Sequence, residues 1–153
     1  MGSRNGSDET YVISLCDEIL RLVAKRQHTF DFLLGDVGMN GNRRRLPVDA
    51  YYPTLQLVVE YREKQHTQAV AFFDKAHRMT ISGVPRRQQR ALYDQRRRDE
   101  LPKNGIQLVE LSVSDFQHDA KQRLRRMRSS DLGVVQHVLE PWQWTHRLTS
   151  ASR

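Results

Sequence analysis

Apolar residues near the start of the chain recur at spacings of three and four, which predicts an amphipathic helix from about Asp8 to Arg26. Ser7 or Asp8 suits the N-cap position. Glu9 falls in the first turn, where the positive end of the helix dipole favours a carboxylate. The apolar face of this helix consists of Tyr11, Val12, Leu15, Cys16, Ile19, Leu22 and Val23.

Three strands are predicted next, because short apolar segments with partial alternation follow between turn residues. The segments are Thr29–Leu34, Leu46–Tyr51 and Leu55–Arg62, and the last alternates most clearly. Three glycines within Gly35–Asn42 predict a loop between the first two strands.

The second half of the chain predicts another helix and another strand, followed by further helices. Residues Arg86–Leu101 form a polar, arginine-rich helix that Pro102 and Gly105 should end, and Ile106–Leu111 alternates as a strand. Helices are then expected over Phe116–Met127 and, more weakly, over Asp131–Leu139. Helices that alternate with strands in this order favour an α/β fold with a central sheet.

The composition adds a strong basic bias to this outline. The chain has 153 residues, a net charge of +7, and 20 Arg among its 25 basic residues. Because the guanidinium group matches phosphate oxygens, this bias favours nucleic acid as a partner, and a merely solvated basic surface is the alternative. A single cysteine, Cys16, excludes a disulfide framework, and no apolar run is long enough to span a membrane. We therefore expect a soluble, cytoplasmic protein.

The length fits one domain. We expect a disordered N-terminus over residues 1–8, a single domain over residues 9–128, and a C-terminal extension over residues 129–153.

Two acidic residues stand on consecutive predicted strands on either side of a tight turn. Asp49 lies near the end of one strand and Glu60 lies on the next. Neighbouring strands are about 5 Å apart, so the two carboxylates would repel each other unless a cation lay between them. Mg²⁺ accepts such ligands. The alternative is that Asp49 is only a turn residue and that Glu60 forms a surface ion pair with Arg43–Arg45.

The segment Leu46–His66 resembles the PD-(D/E)XK nuclease superfamily, and it is most similar to the branch of very-short-patch-repair-like endonucleases. In that branch an Asp at a strand end precedes a strand ending in Glu, and a Gln-His pair follows. The matching residues are Asp49, Glu60, Gln65 and His66. A second block, Tyr93–Leu101 followed by Gly105–Leu111, is also similar, so that the resemblance covers roughly residues 9–127.

The resemblance implies a restriction-endonuclease-like core, α-β-β-β-α-β, with a central mixed four-stranded sheet flanked by helices. It implies a metal-dependent endonuclease that hydrolyses DNA phosphodiester bonds with Mg²⁺ or Mn²⁺. The metal ligands would be Glu9, Asp49 and Glu60, with Glu18 as a competitor of Glu9 on the opposite face of the helix. Lys64, Gln65 and His66 would orient the water or the scissile phosphate, although His66 equally suits a surface position.

One departure bears on the mechanism. The family's usual lysine, two residues after the Glu, is Arg62 here, and arginine cannot serve as a base because it stays protonated. A catalytically inactive nucleic-acid-binding module of the same fold is therefore one alternative. A basic adaptor that binds an acidic protein is another.

Basic residues on both sides of the acidic pair are candidates for contact with DNA phosphates. A homodimer or a separate targeting subunit would supply specificity, and association with the nucleoid would follow from DNA binding. The candidate contacts are Arg43, Arg44, Arg45, Arg62, Arg86, Arg87, Arg90 and Arg97.

Overall fold

A computed structural model describes the backbone of residues 6–63 and 85–151, and the side chains of these residues as far as residue 143. In this part the chain forms helices α1 (Asp8–Leu20), α2 (Arg86–Lys103) and α3 (Arg128–Ala151). The strands are β1 (Lys25–His28), β2 (Leu34–Val37), β3 (Arg43–Arg45), β4 (Val48–Tyr52), β5 (Leu57–Arg62) and β6 (Gln107–Ser112).

Four of the strands form one mixed sheet in the order β1-β4-β5-β6. β4 pairs antiparallel with both β1 and β5, whereas β5 and β6 run parallel. A short 3-10 turn, Pro53–Leu55, is enough to reverse the chain between β4 and β5. The parallel pair needs a longer crossover, and that crossover includes α2. The prediction of an α/β fold with a mixed four-stranded sheet is confirmed.

Side chains of β5 alternate between two apolar clusters on opposite faces of the sheet. Leu57, Val59 and Tyr61 belong to the larger cluster with residues of α1 and α3. Val58 belongs to the smaller cluster, which includes Leu101 of α2. Because Glu60 is two residues from Val58, it shares the face that α2 covers.

Asp17 ends α1 earlier than the apolar pattern predicts. Its Oδ1 accepts hydrogen bonds from the backbone N–H of Ala24 at 3.0 Å and from the hydroxyl of Tyr52 at 2.7 Å. Arg21 takes the left-handed conformation, with φ of 56°, at the C-cap. The helix therefore stops at Leu20, and the prediction that it continues to Arg26 is wrong.

The predicted strand Thr29–Leu34 is also wrong, because the first strand of the sheet is β1 and lies just before it. Its alternating aromatic residues instead form a turn, in which the ring of Phe30 stacks on Phe32 at 5.0 Å. The predicted loop Gly35–Asn42 is partly wrong, because its first three residues belong to β2. That strand pairs with β3 in a separate two-stranded hairpin.

The predicted helix Phe116–Met127 is absent from the described structure. The side chain of Asp119 accepts hydrogen bonds from the backbone N–H groups of Lys121 and Arg123, at 2.8 and 3.0 Å. Such local bonds satisfy the backbone in a non-helical conformation. The last helix is longer than the predicted Asp131–Leu139. None of the helices in the described residues is long and apolar enough to cross a membrane.

Tyr52→Phe is expected to lower the free energy of unfolding by about 1–2 kcal/mol, because it removes a hydrogen bond to a largely buried carboxylate. Urea denaturation at neutral pH measures the change. Tyr51→Phe is the control, since no hydrogen-bond partner of its hydroxyl is found among the described residues, and it should change stability by less. Equal effects of the two substitutions would contradict this role for Tyr52.

Candidate active site

Asp49 and Glu60 lie opposite each other on neighbouring strands. The register pairs Ala50 with Val59, which places Asp49 across from Glu60. Asp49 donates its backbone N–H to Glu60 Oε2 at 3.3 Å, and Tyr61 donates its backbone N–H to Asp49 Oδ2 at 2.8 Å. The two carboxyl groups are therefore side by side, as expected from the strand, turn and strand of the sequence.

Glu9, in the first turn of α1, brings a third carboxyl group to this pair. It lies within hydrogen-bonding reach of the Asp49 carboxyl group, and its Oε2 accepts a hydrogen bond from Gln27 Nε2 at 3.3 Å. Glu18 lies elsewhere, where its Oε2 accepts a hydrogen bond of 2.5 Å from Arg128. The geometry thus favours Glu9 over Glu18 as the third acidic member.

Burial, together with the neighbouring carboxyl groups, raises the pKa of both Glu9 and Glu60. Burial and the hydrogen bond and charge of Asp49 raise the pKa of Glu60 to about 9. Burial, the charge and hydrogen bond of Asp49, and the charge of Glu63 raise the pKa of Glu9 to about 7. A hydrogen bond between two carboxyl groups requires one of them to be protonated, so a proton here does what a cation would otherwise do.

Arg97 of α2 contacts the acidic cluster at Glu60. Its Nε lies 3.2 Å from Glu60 Oε1, and its guanidinium group also donates to the carbonyl of Pro47 at 2.9 Å and to Asp94 at 3.1 Å. Glu60 is only 4% exposed, and its Oε1 is buried without a hydrogen bond despite the nearby charge. Glu60 Oε1 is therefore ion-paired with Arg97, while its capacity to accept a hydrogen bond is unfilled.

Arg62 is occupied by ion pairs rather than turned to solvent. It contacts Asp94 of α2, and its Nη2 lies 2.5 Å from Glu110 Oε1 on β6. Arg98 shares the same carboxylate at 3.0 Å. The pKa of Glu110 is lowered because the hydrogen bonds and charges of both arginines outweigh its burial. Arg62 thus links Asp94 of α2 to Glu110 of β6 through ion pairs next to the carboxyl cluster.

The other arginines that are candidates for DNA contact differ in solvent exposure and in how far they are paired within the protein. Arg44, Arg86 and Arg90 are exposed and Arg87 is half-buried. Arg43 donates to the carbonyl of Gly35 at 2.7 Å, and Arg45 lies 2.6 Å from the exposed Asp31. Together with Arg62 and Arg97, Arg43 is therefore engaged within the protein.

Lys64, Gln65 and His66 lie outside the described residues, so their roles stay predictions. Gln27, in contrast, is a member of the site that sequence reasoning missed. It lies opposite Asp49 in the register of β1 and β4, and it has a positive φ of 51°. Strained backbone of this kind tends to occur at functional sites. A polar glutamine in a short strand carries no sequence signal that would have identified it.

Within the described residues, no three His, Cys, Asp or Glu side chains are already arranged as a set of metal ligands. No family model, curated protein or solved structure matches the chain. The function of the site is therefore inferred from the chemistry of its own residues.

In metal-free buffer, the free energy of unfolding is expected to fall as the pH rises from about 5 to 9. Glu9 and Glu60 bind protons more tightly in the folded state than at the ordinary value of 4.5, so deprotonation through this window favours unfolding. Urea denaturation in EDTA across this range measures the decline. The double variant Glu9→Gln/Glu60→Gln should show a flatter profile, and the control Glu140→Gln should follow the parent protein. Parallel profiles for all three proteins would contradict the assignment.

Proposed function

We propose that this protein is a metal-dependent endonuclease that hydrolyses DNA phosphodiester bonds. The observation that carries the proposal is the convergence of Glu9, Asp49 and Glu60, with Asp49 in contact with both of the others. Three carboxyl groups brought together from a helix and two strands destabilise the folded state, because burial and mutual repulsion both disfavour their charged forms, and such perturbed groups tend to cluster at functional sites.

The topology is consistent with a restriction-endonuclease-like core, which is the finer fold assignment that we propose. A helix precedes three antiparallel strands of the sheet, and a second helix leads to a strand parallel to the third. Asp49 and Glu60 lie on the second and third of these strands, which agrees with the order of acidic residues that the resemblance implies. The β2–β3 hairpin is an insertion between the first two strands of the sheet.

The acidic residues fit a hard divalent cation. Mg²⁺ and Mn²⁺ prefer oxygen ligands, and Glu60 offers a buried oxygen without a hydrogen bond. Glu9, Asp49 and Glu60 would hold the ion after losing the protons that they share. When bound, a divalent cation lowers the pKa of a coordinated water and neutralises charge on the phosphate.

The neighbouring side chains divide the remaining tasks. Arg97 provides a fixed positive charge beside Glu60, which limits the repulsion between the carboxylates. Arg62 takes no part in proton transfer, because a guanidinium group in ion pairs does not release its proton. The general base is therefore expected to be Lys64, His66 or a water molecule, whereas the Gln65 amide would orient the water or the scissile phosphate.

A second candidate function is a catalytically inactive DNA-binding module of the same fold. The observation in its favour is Arg62, which stands where the family's lysine is usual and is held by Asp94 and Glu110. The two functions differ in whether DNA is cleaved when Mg²⁺ is present, so one assay separates them.

Plasmid nicking with Mg²⁺ is the direct test of the nuclease. Asp49→Asn and Glu60→Gln are each expected to lower the cleavage rate more than about 100-fold, because changing even a residue that only orients a metal ligand typically costs 10- to 100-fold. Asp99→Asn is the matched control, since this exposed aspartate lies on the surface of α2 and should leave the rate unchanged. Cleavage that persists in the Asp49→Asn/Glu60→Gln double variant would refute the site, and an inactive parent protein that still binds DNA would favour the second candidate.

Metal binding should also be detectable as thermal stabilisation. At a Mn²⁺ concentration about 100 times the Kd, the folded state gains about 2.7 kcal/mol, which raises the Tm of a domain of this size by about 5–10 °C. The shift should be larger at pH 8 than at pH 6, because the ion competes with protons. A scan of the Glu9→Gln/Glu60→Gln variant should show no shift, and an equal shift in that variant would place the ion elsewhere.

A further inference from the structure

A broad groove separates the β2–β3 hairpin from the first half of α2. Its volume is about 1070 Å³, and Leu46 and Pro47 line it between these two walls. One wall carries Arg44 and Arg45, and the other carries Arg86. None of the three carboxyl residues Glu9, Asp49 and Glu60 is among the described residues that line this groove.

The charge of the groove is positive and mostly uncompensated. Among the described residues that line it, three are arginines and one, Asp36, is acidic, and Asp36 already pairs with Arg96 at 3.1 Å. Neither Arg44 nor Arg86 forms an ion pair with a described residue, and the ion pair of Arg45 with Asp31 is exposed to solvent. Exposed pairs of this kind contribute little stability and exchange readily for another anion.

The groove has a fixed shape, because the hairpin is fastened to α2. Tyr93 accepts a hydrogen bond of 2.8 Å from the backbone N–H of Asp36, and Arg96 donates to the carbonyl of Leu34 at 2.8 Å. A Cβ atom on Gly35 would lie only 3.0 Å from the Tyr93 hydroxyl, so the two elements are in close contact there. The arginines are thus presented by a preformed scaffold, which lowers the entropic cost of binding.

The rim of the groove combines apolar and amide groups with this positive charge. Met39, near the hairpin turn, is 87% exposed, and the amides of Asn40 and Asn42 line the groove beside it. A small inorganic anion would leave the apolar part of the rim unused. A nucleic-acid strand presents phosphates together with apolar sugar and base surfaces, and therefore matches the whole groove.

One end of the groove adjoins the carboxyl cluster. Pro47 lines the groove, and its carbonyl accepts the hydrogen bond from Arg97, the residue whose Nε lies 3.2 Å from Glu60 Oε1. Asp49 follows Pro47 by two residues, a span of about 7 Å in extended chain.

We infer that the groove between the β2–β3 hairpin and α2 binds the phosphodiester backbone of one DNA strand and leads it to the carboxyl cluster. The inference rests on the proposed function for the identity of the ligand as DNA. Of the candidate arginines, it assigns Arg44, Arg45 and Arg86 as phosphate contacts. The side chains of Arg43, Arg62 and Arg97 instead form hydrogen bonds and ion pairs within the protein.

The test is the salt dependence of binding to a short fluorescein-labelled DNA duplex, followed by fluorescence anisotropy in EDTA. The double variant Arg44→Gln/Arg86→Gln should bind more weakly, and its plot of log Kd against log salt should be shallower by about 2, because each lost phosphate contact removes about 0.9 from the slope. The charge-matched control is Arg123→Gln/Arg125→Gln, on exposed residues between β6 and α3 that do not line the groove. Its slope should equal that of the parent protein.

Two results would contradict the proposal that the groove binds DNA. Equal losses of slope in both double variants would mean that binding depends only on overall charge, and an unchanged slope in Arg44→Gln/Arg86→Gln would mean that DNA lies elsewhere. Because binding is measured without metal, the outcome is separate from the nicking assay. If DNA binding depends on the groove but no cleavage is seen, only the proposed nuclease activity is rejected. If cleavage depends on Asp49 but the slope of Arg44→Gln/Arg86→Gln equals that of the parent protein, only the proposed role of the groove is rejected.

Discussion

The contact between the Asp49 and Glu60 carboxyl groups is the constraint on which the rest of the site depends. Antiparallel pairing of β4 and β5 forces these side chains together, and burial under α2 removes the water that would otherwise separate their charges. The protein tolerates this with shared protons, two backbone N–H donors and the positive charges of Arg97 and Arg62. Breaking a buried ionic contact leaves an uncompensated charge, so α2 cannot move away from the sheet without cost.

Arginine therefore has two different uses in this chain. Arg62, Arg97 and Arg98 connect α2 to acidic residues of β5 and β6, and their charges are largely neutralised there. Arg44 and Arg86 remain exposed on the walls of the groove. The net charge of +7 is thus divided between arginines that pair with carboxylates and arginines such as Arg44 and Arg86, for which the described residues include no ion-pair partner.

The sequence could predict the features that depend on local pattern. The strand register of Asp49 and Glu60 follows from two apolar segments and one tight turn, and α2 follows from its composition and from Gly105 just beyond its end. The prediction that Pro102 ends this helix is wrong, because Pro102 lies inside the last turn of α2, which continues to Lys103. It could not predict the features decided by single long-range hydrogen bonds. Tyr52 reaches Asp17 across the core and ends α1 early, and Leu124 donates its backbone N–H to Asp8 of α1 in place of a helical partner. Gln27 entered the site through tertiary contact alone, which no periodicity reveals.

The parallel pairing of β5 with β6 has a consequence for how the chain folds. β1, β4 and β5 all lie before residue 63, with the β2–β3 hairpin inserted between β1 and β4, and they can pair as soon as residues up to 62 are available, whereas β6 begins only at Gln107. Until that strand arrives, one edge of the apolar β5 has unpaired backbone groups, and such edges promote association with other chains. Contacts of this sequence separation also form slowly. If folding begins before β6 has been synthesised, this edge of the most apolar strand stays open until α2 and β6 cover it.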